Sequence, residues 1–598
     1  MNIIAEMPIA ENFFEVSWEV CNKVGGIYTV VTSKADPISK LYKNYILIGP
    51  QIPKKAVGEF QESMPPHEFK SVFDSLRSQG IICHYGKWMI EGYPITILLD
   101  YNQFASRNND IKKQMWDHYQ IDSLGTSFFD FDEPNLWSYA AGMVIDALSK
   151  TMQGRTVAQF HEWLSAAGLL YLKRANPSIA TVFTTHATML GRTLASNHVD
   201  LYNNLGRINP DEEARKFGIQ AKHLTEKAAA QNADIFTTVS EVTGIEAEHF
   251  LARKPDIILP NGLNIAKFPT MEEIAIKHQL LKTKIKSFLL YYFFPYYRFD
   301  LESTYIYFIV GRYEYHDKGI DVFIKALGQL NQQLKNDVSN KTVVAFFWIP
   351  SNVRGIKTEL LENRTNFMDI HETIEDAVPE IKNNLILSMA TNRKIADSNV
   401  FESDTLKDLK RKAMKLGKTG LPPLATHDLY DEKNDSILNG FKENGLANTE
   451  EDRVKVVYYP IYLTGADGLL DLNYYEAILG SQLGIFPSYY EPWGYTPLEA
   501  AALGVASVTT DLSGFGRYIL RDTKDEKYPG IYVIKRLNRS DKEVVDDLSA
   551  IFHNYTKLTR DERIANKYEA KKISSTADWK HFVEFYTKAH NMALNKRL

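Results

Sequence analysis

Cysteine is nearly missing from this sequence. Only Cys21 and Cys83 occur in 598 residues, too few for a disulfide framework or a thiolate metal site, so a reducing, cytoplasmic compartment is expected. Long apolar runs are missing as well. No stretch reaches the ~18 consecutive apolar residues of a membrane span, and residues 1–10 lack a basic segment followed by an apolar one; neither an anchor nor an export signal is expected. The most apolar candidate, 288–297, is a short aromatic run between charged flanks, suited to packing against another helix or subunit. Positive charge is not in excess either. A net charge of −5 and a pI near 6.3 provide no field to gather nucleic acid or anionic lipid, and a neutral partner fits better. Repeats and low-complexity tracts are also absent from the sequence.

Hydrophobic residues make up 44% and charged residues 24%, the balance of a chain that folds throughout. At roughly 100–200 residues per domain, the length requires two or more packed units. Short β-branched or aromatic runs at 44–49, 96–100, 156–160, 180–184, 235–238 and 257–259 alternate with helical stretches, the pattern of buried parallel strands with crossover helices. A second set follows at 305–310, 342–348, 385–387, 454–458, 483–486 and 506–509. The fold class is therefore α/β, with two doubly wound, Rossmann-like domains at 1–262 and 263–570 and a hinge near Pro260-Asn261-Gly262. Between about 356 and 448 long charged helical segments replace the strands, as in a helical insertion that serves as an oligomerisation or regulatory arm. Residues 571–598 read as a helix crossing back to the first domain.

Four segments carry candidate chemistry. Gly25 and Gly26 follow a strand and open a helix; without side chains they let a phosphate or sugar approach free backbone N–H groups at a positive dipole end, although a tight turn needs the same pair. The segment 184–192 follows a strand at its carboxyl end, where ligands bind in open α/β sheets. It puts His186 within reach of a sugar, or else in the core. Arg312 and Lys318 share one loop after a strand, and a planar fork beside a point charge suits a diphosphate, as it also suits solvated surface. In 486–499, Glu491 and Glu499 are separated by seven residues. There a strand ends in a Pro/Gly-rich turn, and Thr496-Pro497 is expected to open a helix with Thr as its cap, leaving Glu491 in the ligand-facing loop and Glu499 one turn into the helix.

This last segment resembles the E-x7-E signature of retaining GT-B glycosyltransferases and, in its wording, the eukaryotic-type glycogen synthases. Similar segments run nearly end to end, at 19–30, 161–164, 184–192, 236–264, 311–319 and 486–516. The resemblance implies a GT-B fold, two Rossmann-like domains facing a central cleft, and transfer of glucose from a nucleotide sugar, UDP-glucose favoured over ADP-glucose, to the non-reducing end of glycogen or another α-1,4-glucan. It implies that Gly25 and Gly26 line the donor phosphates, that Arg312 and Lys318 hold the diphosphate, and that His186 and Arg192 contact glucose and phosphate from the opposite domain. Glu491 then sits on the sugar side, the backbone of Trp493, Gly494, Tyr495 and Thr496 binds glucose hydroxyls and phosphate, Glu499 holds the ribose, and Tyr474 stacks on uracil. His161 and Glu162 match a position near the acceptor. The family also implies a homo-oligomer, a tetramer by preference.

Retention implies a front-face displacement through an oxocarbenium-like state, with fixed cations stabilising the leaving diphosphate and no metal or other cofactor required. Glu491 acts in charge stabilisation and orientation, or alternatively as a nucleophile like the carboxylate of a retaining glycosidase. Two domains that close on substrate would gate the chemistry. A glucan phosphorylase would need a lysine context for pyridoxal phosphate, and a non-catalytic glucan binder would be expected to lose Glu491, Arg312 or Lys318, all of which are present. Asp130-Phe131-Asp132 imitates a D-x-D metal site, and His161-Glu162 begins like a zincin motif, but Ser165 stands where the second histidine belongs. The family pattern fails in one place. Asp578-Trp579-Lys580 is kept, yet 559–576 holds only Arg560 and Arg563 where an arginine-rich helix binds glucose 6-phosphate, and lysine lacks the bidentate fork. Weak or absent activation is expected. Phosphorylated tails are not expected, and a bacterial or archaeal source would fit that expectation.

Overall fold

A computed structural model describes residues 7–337, 340–520 and 527–597; the reading of the chain start falls partly on residues 1–6, outside the described residues. The apolar runs become strands buried on both faces. β1 (Asn12–Val16), β2 (Asn44–Pro50), β3 (Phe60–Glu62), β4 (Ile82–Trp88), β5 (Ile95–Asp100), β6 (Thr156–His161), β7 (Ala180–Thr185), β8 (Ile235–Thr238) and β9 (Ile257–Ile258) form a nine-stranded sheet in the order β3-β4-β5-β2-β1-β6-β7-β8-β9. It is parallel except at the β3-β4-β5 edge, where β3 and β4 are partly polar, face solvent and escape the apolar-run criterion. The second sheet contains β10 (Thr304–Val310), β11 (Thr342–Trp348), β14 (Val454–Tyr458), β15 (Leu483–Ile485), β16 (Ala506–Thr510) and β17 (Ile531–Ile534), ordered β14-β11-β10-β15-β16-β17. All its pairs are parallel. β12 (Val353–Ile356) and β13 (His427–Leu429), far apart in sequence, form a small two-stranded antiparallel sheet.

The helices that frame the two sheets and their arm include α1 (Gly26–Ser39), α2 (Met189–Ser196), α3 (Glu241–Phe250), α4 (Met271–Phe293), α5 (Ile320–Asn336), α6 (Thr358–Ala390), α7 (Ser403–Leu416), α8 (Tyr474–Gly480), α9 (Tyr495–Ala502), α10 (Arg560–Thr576) and α11 (Trp579–Asn595). The strand expected at 385–387 does not exist. Those residues lie inside α6, with Ile386 57% and Leu387 54% exposed; three apolar residues with no β-branched run around them do not distinguish strand from helix. The aromatic run at 288–297 ends α4 and packs within the second domain, Phe288 lying 5.8 Å from Phe346 and 6.2 Å from Tyr459.

Two chain crossings lie side by side. After β9, Leu263 pairs with Asp578, its N–H donating to Ala577 O at 2.9 Å. Gly262 is required there, because a Cβ would meet the Trp579 ring at 2.7 Å. The return crossing is at Ala577–Asp578 rather than at residue 571, since α10 runs unbroken to Thr576 and packs on α9. Beyond it α11 covers α1 and β6–β9, and Trp579 Nε1 donates to Ser33 Oγ at 2.7 Å.

Candidate active site

The carboxyl ends of the two sheets face one another across a cavity of about 600 Å³, the position expected of a ligand site in open α/β sheets. Loops after β1, β6, β7 and β8 supply one wall, and loops after β10 and β15 the other. Gly25, Gly26, Glu162, His186, Arg192, Arg312, Lys318, Glu491, Trp493, Gly494, Tyr495, Thr496 and Glu499 all line it.

On the first wall, Gly25 caps α1 with an extended backbone, and its N–H is already taken by Glu19 Oε2 at 2.7 Å. The same oxygen accepts from Tyr28 N at 2.9 Å, so Glu19 stands where an external anion was expected at those two groups. Gly26 is open, with nothing within 4 Å of a Cβ. Thr188 caps α2, accepting from Gly191 N at 3.0 Å. The helix carries Arg192, whose guanidinium makes no hydrogen bond among the described residues and is exposed to the cavity.

Glu162 sits at φ +64°, a left-handed conformation that costs a non-glycine residue on the order of 1–3 kcal/mol and clusters at functional sites. Its carboxylate accepts from the N–H groups of His186 at 2.9 Å and Ala187 at 3.1 Å, and burial holds its pKa above the usual range. His161 is not on the acceptor side. Its side chain is fully buried, bonded to Glu15 Oε1 at 2.7 Å and to His186 Nε2 at 2.9 Å, because β6 ends with His161 turned into the sheet and Glu162 turned out.

On the second wall, Gly319 caps α5 at φ +69°, and a Cβ there would meet Pro487 O at 2.1 Å. That contact clamps the cation loop on the glutamate loop, helped by Tyr489 and Tyr490 N–H groups donating to Asp317 O at 2.9 and 3.1 Å. Lys318 Nζ is thereby held against Glu491 Oε2. Arg312 is 68% exposed at the rim and pairs with Glu314 at 2.9 Å. Helix α9 is capped by Gly494 at φ +102°, not by Thr496, and among the described residues no side chain caps its first turn. Its leading N–H groups and positive dipole end face the cavity.

Glu499 accepts from Tyr474 Oη at 2.7 Å and Tyr475 Oη at 3.0 Å, and burial raises its pKa. Tyr474 is half-buried behind Glu499 and does not line the cavity. Glu19, Glu314 and Asp317 lie inside marked segments and Tyr475 beside Tyr474, but the sequence alone assigned none of the four a role. The D-x-D carboxylates are engaged elsewhere, Asp132 with Lys112 at 3.1 Å and Asp130 with Lys222.

Three contacts tie the walls together. Ser196 Oγ donates to Asp317 Oδ2 at 3.0 Å, Leu201 N to Tyr489 Oη at 2.8 Å, and Tyr490 Oη to Glu246 Oε2 at 3.1 Å. Glu246, on α3, is 1% exposed, and burial pushes its pKa up to about 7 from 4.5. The folded carboxyl keeps its proton to about pH 7 while the unfolded one loses it near 4.5, so stability falls as pH rises through that window. Glu246→Gln is expected to raise the melting temperature at pH 8 by a few degrees, reflecting up to about 3 kcal/mol, and to leave it nearly unchanged at pH 5. Scanning calorimetry at both pH values checks this.

The family model for glycogen synthase matches residues 15–598. The chain is 35% identical over 603 residues to a liver glycogen [starch] synthase of Homo sapiens, covering 99% of this chain and 85% of that one. It is 38% identical over 608 residues to glycogen [starch] synthase isoform 2 of Saccharomyces cerevisiae, covering 98% and 86%. Among solved structures, the catalytic domain of starch synthase IV from Arabidopsis thaliana bound to ADP and acarbose shares the fold with a TM-score of 0.52 at 14% identity, over 97% of this chain and 99% of that one. With a family match across nearly its whole length and two Rossmann-like sheets facing one cleft, the chain belongs to the glycogen synthase family, with the GT-B fold.

Proposed function

We propose that the chain transfers glucose from UDP-glucose to the non-reducing end of an α-1,4-glucan, with retention of configuration and without a metal. The observation that carries this reading is the convergence of Arg192, Arg312, Lys318 and the free N–H groups at the start of α9 on one cavity. Negative charge grows on the departing diphosphate, and cations and N–H groups fixed in a water-poor cleft lower that barrier by several kcal/mol each. They supply the charge that a divalent ion supplies elsewhere. Glu491, paired with Lys318, orients the sugar and stabilises positive charge on it, since a carboxylate held by an ammonium is a blunted nucleophile. Glu499 holds the ribose with its remaining lone pairs, Tyr474 and Tyr475 fix its orientation, and Glu162 meets the acceptor.

The arm formed by α6 and α7 supports a homo-oligomer, with a tetramer preferred. Ile386 is 57%, Leu387 54% and Met389 71% exposed near the end of α6, and Met414 82% on α7, apolar surface of the kind a second copy would cover. Light scattering measures the state. Among the described residues no helix is long and apolar enough to cross a membrane, and with both cysteines free a cytoplasmic location fits.

The first assay incubates the protein with glycogen and UDP-glucose or ADP-glucose, with EDTA, and follows diphosphate release and glucan extension. Extension from UDP-glucose, lost in Glu491→Ala, is the expected result; no turnover with either donor ends the proposal. Adding glucose 6-phosphate is expected to change the rate by less than about twofold. On α10, Arg563 is already bonded to Leu558 O and Tyr305 Oη, and Lys571 to Ala502 O, and these bonds occupy cations that a sugar phosphate would need. A large activation at fixed donor concentration would overturn that expectation.

A further inference from the structure

A buried charged chain runs through the first sheet and ends at His186. Glu15 on β1 pairs with Lys34 on α1, both side chains fully buried. Glu15 Oε2 accepts from Tyr45 Oη at 2.5 Å, and Oε1 lies 2.7 Å from His161 Nε2. His161 Nδ1 in turn lies 2.9 Å from His186 Nε2. Helix α11 closes over this chain: Lys34 Nζ is 4.2 Å from the centre of the Tyr586 ring, and His590 bonds Gln159 and Tyr42. An ion pair in a sheet core stabilises no better than apolar packing of the same volume, so packing alone does not account for it.

Proton bookkeeping along the chain has one solution. A carboxylate only accepts, so His161 Nε2 carries a proton. Burial lowers the pKa of both imidazoles, that of His186 well below the ordinary value, and each is neutral near pH 7 with one proton. His161 Nδ1 is therefore bare and accepts from His186 Nε2–H. That leaves His186 Nδ1 bare, and among the described residues nothing bonds it. His186 lines the cavity. The other ionisable groups facing the chain are Lys34 of α1, Tyr45 of β2, Tyr42, Tyr586 and His590 of α11, and Arg192 and Glu162 at the cavity end.

We propose that Glu15 and His161 are positioning residues that lock His186 as its Nε2–H tautomer, so that the Nδ1 lone pair accepts from a hydroxyl of the bound hexose. This rests on the reading of the cavity as a nucleotide-sugar site. The lock excludes the tautomer that would present a donor there, and with it sugars that offer only an acceptor at that point.

The test uses full-length protein labelled with 15N-histidine, His186 being assigned through His186→Gln. In the wild type, His186 is expected to show a protonated Nε2 and a bare Nδ1 between about pH 6 and 8. His161→Phe is expected to give a mixture of tautomers and to lower kcat about tenfold to a hundredfold, the loss of one oriented hydrogen bond, while KM for UDP-glucose moves less than about threefold. His161→Asn, whose amide oxygen stands near the lost Nδ1, is expected to recover kcat to within about threefold of the wild type. A proton on Nδ1 in the wild type overturns the proposal, as does a His161→Phe protein with unchanged kcat and resonances. Should His161→Phe fail to fold, the wild-type spectrum and His161→Asn decide. If no nucleotide sugar is turned over, the reading of the cavity falls, while the wild-type spectrum still decides the tautomer.

Discussion

Lys318→Ala is expected to lower kcat by about a hundredfold to a thousandfold, with a much smaller change in KM for UDP-glucose. Lys318 is not a flexible surface lysine. The clamp of Gly319 on Pro487 O fixes its loop, its side chain is 19% exposed, and its ammonium is paired with Glu491. Its removal has two consequences that act in the same direction. The departing diphosphate loses a fixed cation where charge grows most in the transition state, and Glu491 loses the partner that orients it. Both interactions strengthen as the glycosidic bond breaks, so the loss falls on kcat. Lys318→Arg is expected to recover little, because a guanidinium fork is longer and differently directed than a point charge. Arg312→Ala is expected to fall in the same direction. Steady-state release of diphosphate at saturating donor and glycogen reads all three, and a Lys318→Ala enzyme within tenfold of the wild type would remove the lysine from the mechanism.

Gly494→Ala is expected to cost about a hundredfold in kcat/KM together with a measurable drop in melting temperature. Gly494 ends the glutamate loop at φ +102° and caps α9, where a Cβ would stand 2.7 Å from Ser513 Oγ and 3.3 Å from Glu491 Cγ. Ser513 cannot retreat freely, since its hydroxyl donates to Trp493 O at 2.8 Å. The turn must shift instead, and it carries Glu491 on one side and the leading N–H groups of α9 on the other. A displacement of about 1 Å at reacting groups costs on the order of a hundredfold. Unchanged kcat/KM, measured beside the melting curve, would mean that the turn absorbs the methyl without moving either.

Much of the architecture was legible because parallel strands are buried on both faces and read as apolar runs that local order reveals. Runs at 180–184 and 454–458 became β7 and β14. Strands exposed on one face, β3, β4 and β12, lack that signal, and 385–387 carried it falsely. The glutamate loop was legible for a similar reason: Pro492, Gly494 and Pro497 prescribe a turn and helix start whatever surrounds them.

The sequence by itself determined the two-domain α/β class, which follows from local pattern and spacing, and the family, which follows from the resemblance of its segments to known members. Only the tertiary structure decided which way side chains point and what they meet. His161 and Glu162 are adjacent, yet one turns into the sheet toward Glu15 and the other toward the cavity, and Tyr490 reaches Glu246 across 244 positions of sequence. Burial, pKa and tautomer depend on neighbours brought together by packing of distant segments, and no local pattern encodes those neighbours.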